Sequence, residues 1–390
     1  MGAAFELSPR RDRPAIAGGR WSGVRLILSC AVLTTAAIAH GEPAATAAGF
    51  ALHGGGYLQP QLRLRANDPV APFDEDGFRV RRARVLGRAE RTIGRVDVTV
   101  NLESELTPDF RLLDASVAAA SCLPGGGGWR VEAGQFKAPV SRQALLSDSR
   151  LGFVDKPELA SLAPDRQLGA MATLIVPHAP MARLSAGLWN GEGVNQGGNV
   201  DEHFLFAGRA EVRLLGRDAP LAESALAGRA LWLGGSGGRE ARNSGDTTET
   251  LTTVGGDVAF ALAGVSGSVE YLQVEHAFSG DARPAYRANG VVGQLAYLLP
   301  PLGVAGRLEV AARVEEIDRN DTVPIIRPGD PDQSLRYYTG GVSWYLDGHD
   351  LKLQVTGSHI VEVEDRDRTG GDAAYHNDTL LVQVTTRIER

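Results

Sequence analysis

The chain has 390 residues, with 48 glycines against three methionines, only three lysines (Lys137, Lys156 and Lys352) and a formal net charge of −7. That length allows two ordinary domains or one large all-β unit, and the acidic balance gives no support to nucleic-acid binding. After residue 40 no run of 18 or more apolar residues occurs, so no helix of about 20 apolar residues can cross a bilayer and any spanning structure would have to be a barrel.

In chain order, the first expected element is a leader. Leu26 to Ala39 (LILSCAVLTTAAIA) is an apolar core preceded by Arg10, Arg11, Arg13, Arg20 and Arg25, and it ends in Ala37-Ile38-Ala39. This is the form of a secretory signal peptide, with cleavage expected after Ala39 and a mature domain over 40–390. A lipoprotein site at Cys30 would leave too short an apolar core. Removing 1–39 takes five arginines and two acids from the formal charge of −7 and leaves −10. Cys122 is then the only cysteine, which permits no intrachain disulfide and no Cys-based metal site.

Beyond residue 50 the hydropathy repeats every two residues. Ser266, Ser268 and Glu270 alternate with Val265, Val269 and Tyr271; Lys352, Gln354 and Thr356 alternate with Leu351, Leu353 and Val355. These are two-faced strands. Sixteen such segments are expected, at about 54–66, 78–90, 94–104, 111–120, 128–137, 166–176, 180–190, 203–214, 226–234, 251–263, 265–275, 287–298, 303–314, 335–346, 349–360 and 378–388. Tight turns are expected at Arg91-Thr92-Ile93, Pro177-His178-Ala179, Gly264 and Asp347-Gly348. They nearly alternate with longer polar connections at 67–77, 138–165, 191–202, 235–250, 276–286, 315–334 and 361–377. Short turns at one end and long loops at the other are the habit of bacterial outer-membrane barrels. The expected fold is all-β, a 16-stranded antiparallel transmembrane β-barrel with a long third loop folded into the pore.

If the apolar face meets lipid, the wet lumen receives Arg82, Arg84, Arg88, Arg130, Arg209, Arg213, Arg229, Arg307 and Arg313, together with Glu132, Glu211 and Glu309. Facing lipid near the midplane, each charge would cost about 2–4 kcal/mol. Tyr57, Trp129, Trp189, Trp232, Tyr271, Tyr297, Trp344 and Tyr345 lie near segment ends, where an interfacial belt would need them. The third loop, 138–165, has a helix-capable piece at Gln143 to Leu146 and brings Lys137, Arg142, Arg150, Lys156 and Arg166 to the expected constriction. Cations at a narrow point favour anions. The same side chains could equally tie the loop to acidic wall groups such as Glu132 or Glu211.

Four stretches, GFRVRRARV (77–85), VEAGQFKAPVSR (131–142), DRQLGA (165–170) and GLWNGEGVN (187–195), resemble the phosphate-selective porin O and P family in order and spacing. The resemblance implies a sixteen-stranded, usually trimeric outer-membrane barrel that passes anions. In selective members phosphate or polyphosphate moves along a ladder of lumen arginines and a lysine cluster. Arg82, Arg84 and Arg130 lie nearest the matching motifs, whereas three lysines in the whole chain cannot rebuild the cluster. The expected partners are small anions as solutes, outer-membrane lipid and lipopolysaccharide, and two further copies of the chain. The eight histidines lack metal-type spacing, no G-x-S-x-G occurs, and the acidic pairs Asp318, Asp321 and Asp365, Asp367 lack EF-hand spacing, so no catalytic residue, metal or cofactor is expected. The rival reading is a weakly selective or plugged structural barrel.

Overall fold

A computed structural model describes residues 46–389 apart from 48, 66–75, 125, 177–180, 217–221, 281–282, 322–333 and 364–377. The expected leader, the turn at Pro177-His178-Ala179 and the pair Asp365, Asp367 lie outside the described residues.

Sixteen strands follow one another: β1 (Phe50–Arg65), β2 (Gly77–Ile93), β3 (Val96–Glu105), β4 (Arg111–Cys122), β5 (Gly128–Lys137), β6 (Arg166–Val176), β7 (Met181–Trp189) and β8 (Leu205–Gly216). They continue as β9 (Ala230–Ser244), β10 (Thr247–Leu262), β11 (Val265–Ser279), β12 (Tyr286–Leu298), β13 (Arg307–Asp318), β14 (Leu335–Asp347), β15 (Leu351–Glu362) and β16 (Thr379–Glu389). Each pairs antiparallel with the next, and β16 pairs with β1, so the sheet closes on itself. A two-residue strand, Thr46–Ala47, lies against the start of β1. Closure gives every strand two neighbours, which is how a sheet satisfies its backbone where no water can.

The two faces are those of an inside-out protein. On β11, Ser266, Ser268 and Glu270 are buried while Val269 and Tyr271 are exposed; on β15, Lys352, Gln354 and Thr356 are buried while Val355 is exposed. Because side chains alternate across a strand, this parity turns polar groups toward the barrel interior and apolar groups outward.

The turn expected at Arg91-Thr92-Ile93 is ladder, closed instead by Gly94-Arg95, and the structure changes two larger expectations. The connection expected over 235–250 is ladder: β9 and β10 pair continuously from Ala230↔Ala261 to Ser244↔Thr247, leaving Gly245-Asp246 as the turn. Its glycines and polar residues read as loop, but a ladder needs only backbone groups. At Gly234 a side chain would collide with the Arg209 guanidinium and the Asp257 carboxylate, which meet across this strand. The interfacial belt also loses members. Tyr57, Trp189, Trp232 and Tyr345 are buried, whereas Tyr271 and Tyr297 are exposed on the outer face. Parity, which closeness to a segment end does not reveal, decides this.

Candidate functional site

The β5–β6 connection, 138–165, is tied to strands all round the barrel. It begins with a one-turn helix, α1 (Arg142–Leu145), capped by Ser141, whose side chain accepts the Ala144 N–H. Across the interior, Glu270 of β11 accepts the N–H groups of Arg142 and Gln143 at 2.9 and 2.8 Å, satisfying orphan donors of the first turn. Further on, Glu315 of β13 accepts from Leu159 N. Lys352 Nζ of β15 donates to Leu151 O at 2.6 Å. Gln354 Nε2 of β15 and Ser343 Oγ of β14 both donate to Gly152 O at 2.9 Å.

At the other side stands Asp148. Its carboxylate lies 2.9 Å from Arg84 Nη2, 3.4 Å from Arg82 Nη2 and 3.9 Å from Lys156 Nζ. Burial alone would raise this carboxyl; Arg82, Lys156, Arg84 and Lys137 outweigh it and hold Asp148 well below the usual carboxylate range. Gln59 Nε2 of β1 donates to Asp148 O at 3.2 Å.

Two of the three lysines converge here. Lys137 Nζ donates to Ala144 O at 2.6 Å and Leu146 O at 3.2 Å. Lys156 Nζ donates to the same two carbonyls, at 2.9 and 2.7 Å. Burial, ahead of the raising effect of Asp148, lowers the Lys156 ammonium below its ordinary value. Each ammonium has three N–H groups and spends two of them on carbonyl oxygens.

The expected wall arginines are placed as follows. Arg84 also pairs with Glu105 at 2.6 Å and Glu103 at 2.9 Å, beneath its cation–π contact with Tyr57. Arg166 meets Asp114 at 2.7 Å and Glu103 at 3.3 Å, Arg130 meets Glu132 at 3.1 Å, and Arg88 pairs with Glu90. Arg209 bridges Glu211 and Asp257, Arg213 lies over Trp232, and Arg313 lies over Phe153 while donating to Asp155 O. Arg307 donates to Leu299 O across the β12–β13 turn. β9 starts at Ala230, so Arg229 is an exposed turn residue. Arg142 is buried with its backbone on Glu270, and Arg150 is half-buried. The structure therefore gathers Arg82, Arg84, Lys137, Lys156 and Arg166 around Asp148 and the neighbouring acids, and leaves Arg209, Arg213, Arg307 and Arg313 elsewhere on the wall.

Between that cluster and the turn end lies a cavity of about 730 Å³, bounded by β1 to β6. Lys137, Arg88 and His53 line it together with Glu90, Glu103, Asp114, Glu132 and Glu389. Sequence reasoning placed Glu132 and Glu211 in the lumen but missed Glu103, Glu105, Asp114 and Asp257, and above all Asp148. Glu103 and Glu105 share a parity that pointed inward, but Asp148 sits in a loop with no period to flag it.

Three of the four motifs behind the family resemblance meet in space. Asn195 N donates to Gln135 Oε1 at 2.7 Å, Gly193 N to Gln167 Oε1 at 3.0 Å, and Trp189 packs edge-on against Phe136 at 5.7 Å. They fasten the roots of the β5–β6 and β7–β8 connections.

A closed antiparallel barrel, apolar outside and charged within, defines an outer-membrane channel protein. Solved structures agree in fold. The anion-selective porin from Comamonas acidovorans is 14% identical at a TM-score of 0.57, covering 87% of this chain and 100% of its own. The outer-membrane channel DcaP of Acinetobacter baumannii is 12% identical at 0.57, covering 90% and 100%. OmpT of Vibrio cholerae, in its trimer form, is 10% identical at 0.53, covering 87% and 100%. No curated protein matches the chain. The model of the family described as phosphate-selective porin O and P matches residues 74–384, and the chain belongs to that family: it is a porin of the bacterial outer membrane.

Proposed function

We propose that this porin passes small anionic solutes, phosphate or polyphosphate among them, through the passage bounded by β1 to β6. On this reading the 138–165 loop crosses the lumen and narrows it. The observation that carries it is the Lys137 and Lys156 pair, two ammonium groups on the same two carbonyl oxygens, with Lys137 in the cavity wall. Positive charge at a constriction favours anions, and the paired arginines add donors that fork onto phosphate oxygens. The family supports phosphate as the first solute to try. The channel catalyses nothing and takes no cofactor; residues 1–39 direct export, and three copies assemble among outer-membrane lipid and lipopolysaccharide.

Planar-bilayer recording tests this. In a potassium chloride gradient the reversal potential should report anion preference, and phosphate or pyrophosphate should reduce the chloride current more than sulfate does. A silent bilayer overturns the pore, and a cation-side reversal potential overturns the anion reading. The five carboxylates lining the same cavity favour a second reading, a weakly selective pore, for which the reversal potential would lie near zero.

A further inference from the structure

The connection between β8 and β9 leaves the barrel at the end opposite to the 138–165 loop, because the strands alternate in direction. Its described part, 222–229, nevertheless meets that loop. The Glu223 N–H donates to Arg150 O at 3.1 Å, and the Gly152 N–H donates to Glu223 Oε2 at 2.7 Å. One residue thus pairs with the loop backbone in both directions.

The wall holds the same residue from behind. Gln294 Nε2 of β12 donates to Glu223 Oε1, and His349 Nε2, in the β14–β15 turn, meets Glu223 O at 2.9 Å. A carbonyl oxygen only accepts, so His349 carries its proton on Nε2, and its Nδ1 accepts from Lys352 Nζ at 3.3 Å. That Lys352 is the donor to Leu151 O. Ser224 sits at φ 93° and donates to Glu309, which also accepts from Tyr345 Oη at 2.8 Å. A non-glycine residue keeps such a backbone only where its surroundings over-determine it.

We propose that Glu223 is a positioning residue that locks the 138–165 loop against the β12–β15 wall from the turn side, closing that half of the lumen and confining permeation to the passage along β1 to β6. The proposal rests on the porin reading and adds what sets the width of the pore.

The test compares wild type, Glu223→Ala and Glu223→Gln as full-length protein in planar bilayers. Glu223→Ala should raise single-channel conductance by roughly twofold, as a second half of similar area opens, with a noisier current. Glu223→Gln should stay near wild type, because its amide oxygen still accepts the Gly152 N–H and its amide nitrogen can reach Gln294 Oε1. A folded Glu223→Ala with wild-type conductance would overturn the proposal, as would an equal rise in both variants. A silent wild type would instead overturn the porin reading on which it stands.

A cross-link covers the case in which Glu223→Ala fails to fold. A Cβ built at Gly152 lies 3.5 Å from the Glu223 Cβ, within the disulfide range of about 3.5–4.5 Å. Gly152→Cys with Glu223→Cys, in a Cys122→Ser background, should conduct like wild type when oxidised and rise on reduction. A conductance indifferent to reductant would overturn the lock.

Discussion

The two halves of the wall use the same alternation to opposite ends. Along β11 to β15 the polar face is spent on backbone: Glu270, Glu315, Ser343, Lys352 and Gln354 all hydrogen-bond the main chain of one loop. Along β1 to β6 more of the polar face pairs with itself, as Arg84, Arg130 and Arg166 meet Glu103, Glu132 and Asp114 beside a cavity, while Gln59 and Lys137 reach the loop backbone. A buried charge has to find a partner. Where the loop supplies carbonyls and N–H groups the wall is tied to it, and where it does not the charges pair along the wall beside the cavity.

Asp148 ties the loop to β1 and β2, and its removal should have the largest effect. Asp148→Asn leaves Arg82, Arg84 and Lys156 facing one another, at a cost of about 3–5 kcal/mol, read as a fall in the urea midpoint in lipid vesicles. Its pH dependence carries a sign. The folded pKa is lowered, so the stabilisation is fully present above the unfolded value of about 3.9 and is lost as pH falls from there toward the folded value. Wild type should lose midpoint across that acid range, and the Asn variant should lose less. Equal acid limbs in both proteins would assign the effect to other carboxylates.

Next comes Lys352→Met in the half tied to the loop. With Leu151 O left to the 3.2 Å bond from Gln354, the expected cost is about 1–3 kcal/mol. The reversal potential should stay unchanged, since Lys352 does not line the cavity; a large shift would show that this half conducts. Lys137→Met should do the converse, moving the reversal potential toward cations and weakening block by phosphate. If that potential does not move, the lysine pair is only a loop fastener.

The smallest change in stability belongs to Glu90→Gln in the open half. Its side chain is 38% exposed beside Arg88 and His53, so the cost should lie within about 1 kcal/mol. The reversal potential should nonetheless move toward anions, because one of the carboxylates lining the cavity is gone.

Much of the barrel was legible in the string because its rule is local. Val269 beside Glu270 states which way each side chain points, whatever lies across the lumen. The same rule erred where composition was read in its place, at Gly235 to Ser244, and where proximity to a segment end stood in for parity, at Tyr57 and Trp189. The site was legible only in part. Arg84 and Lys137 could be assigned to the interior, but their partners Asp148, Glu103 and Ala144 O could not, since pairing depends on where a loop 28 residues long, 138–165, comes to rest.

By itself, then, the sequence determined the two-faced strands, their number and the family, because period-two alternation and short motifs are properties of neighbouring residues. Only the tertiary structure decided which strands hold the 138–165 loop, which cations find carboxylate partners and that Glu223 meets Gly152. Those outcomes turn on contacts between groups far apart in the chain, where burial makes an unpaired charge too costly and so selects the partner.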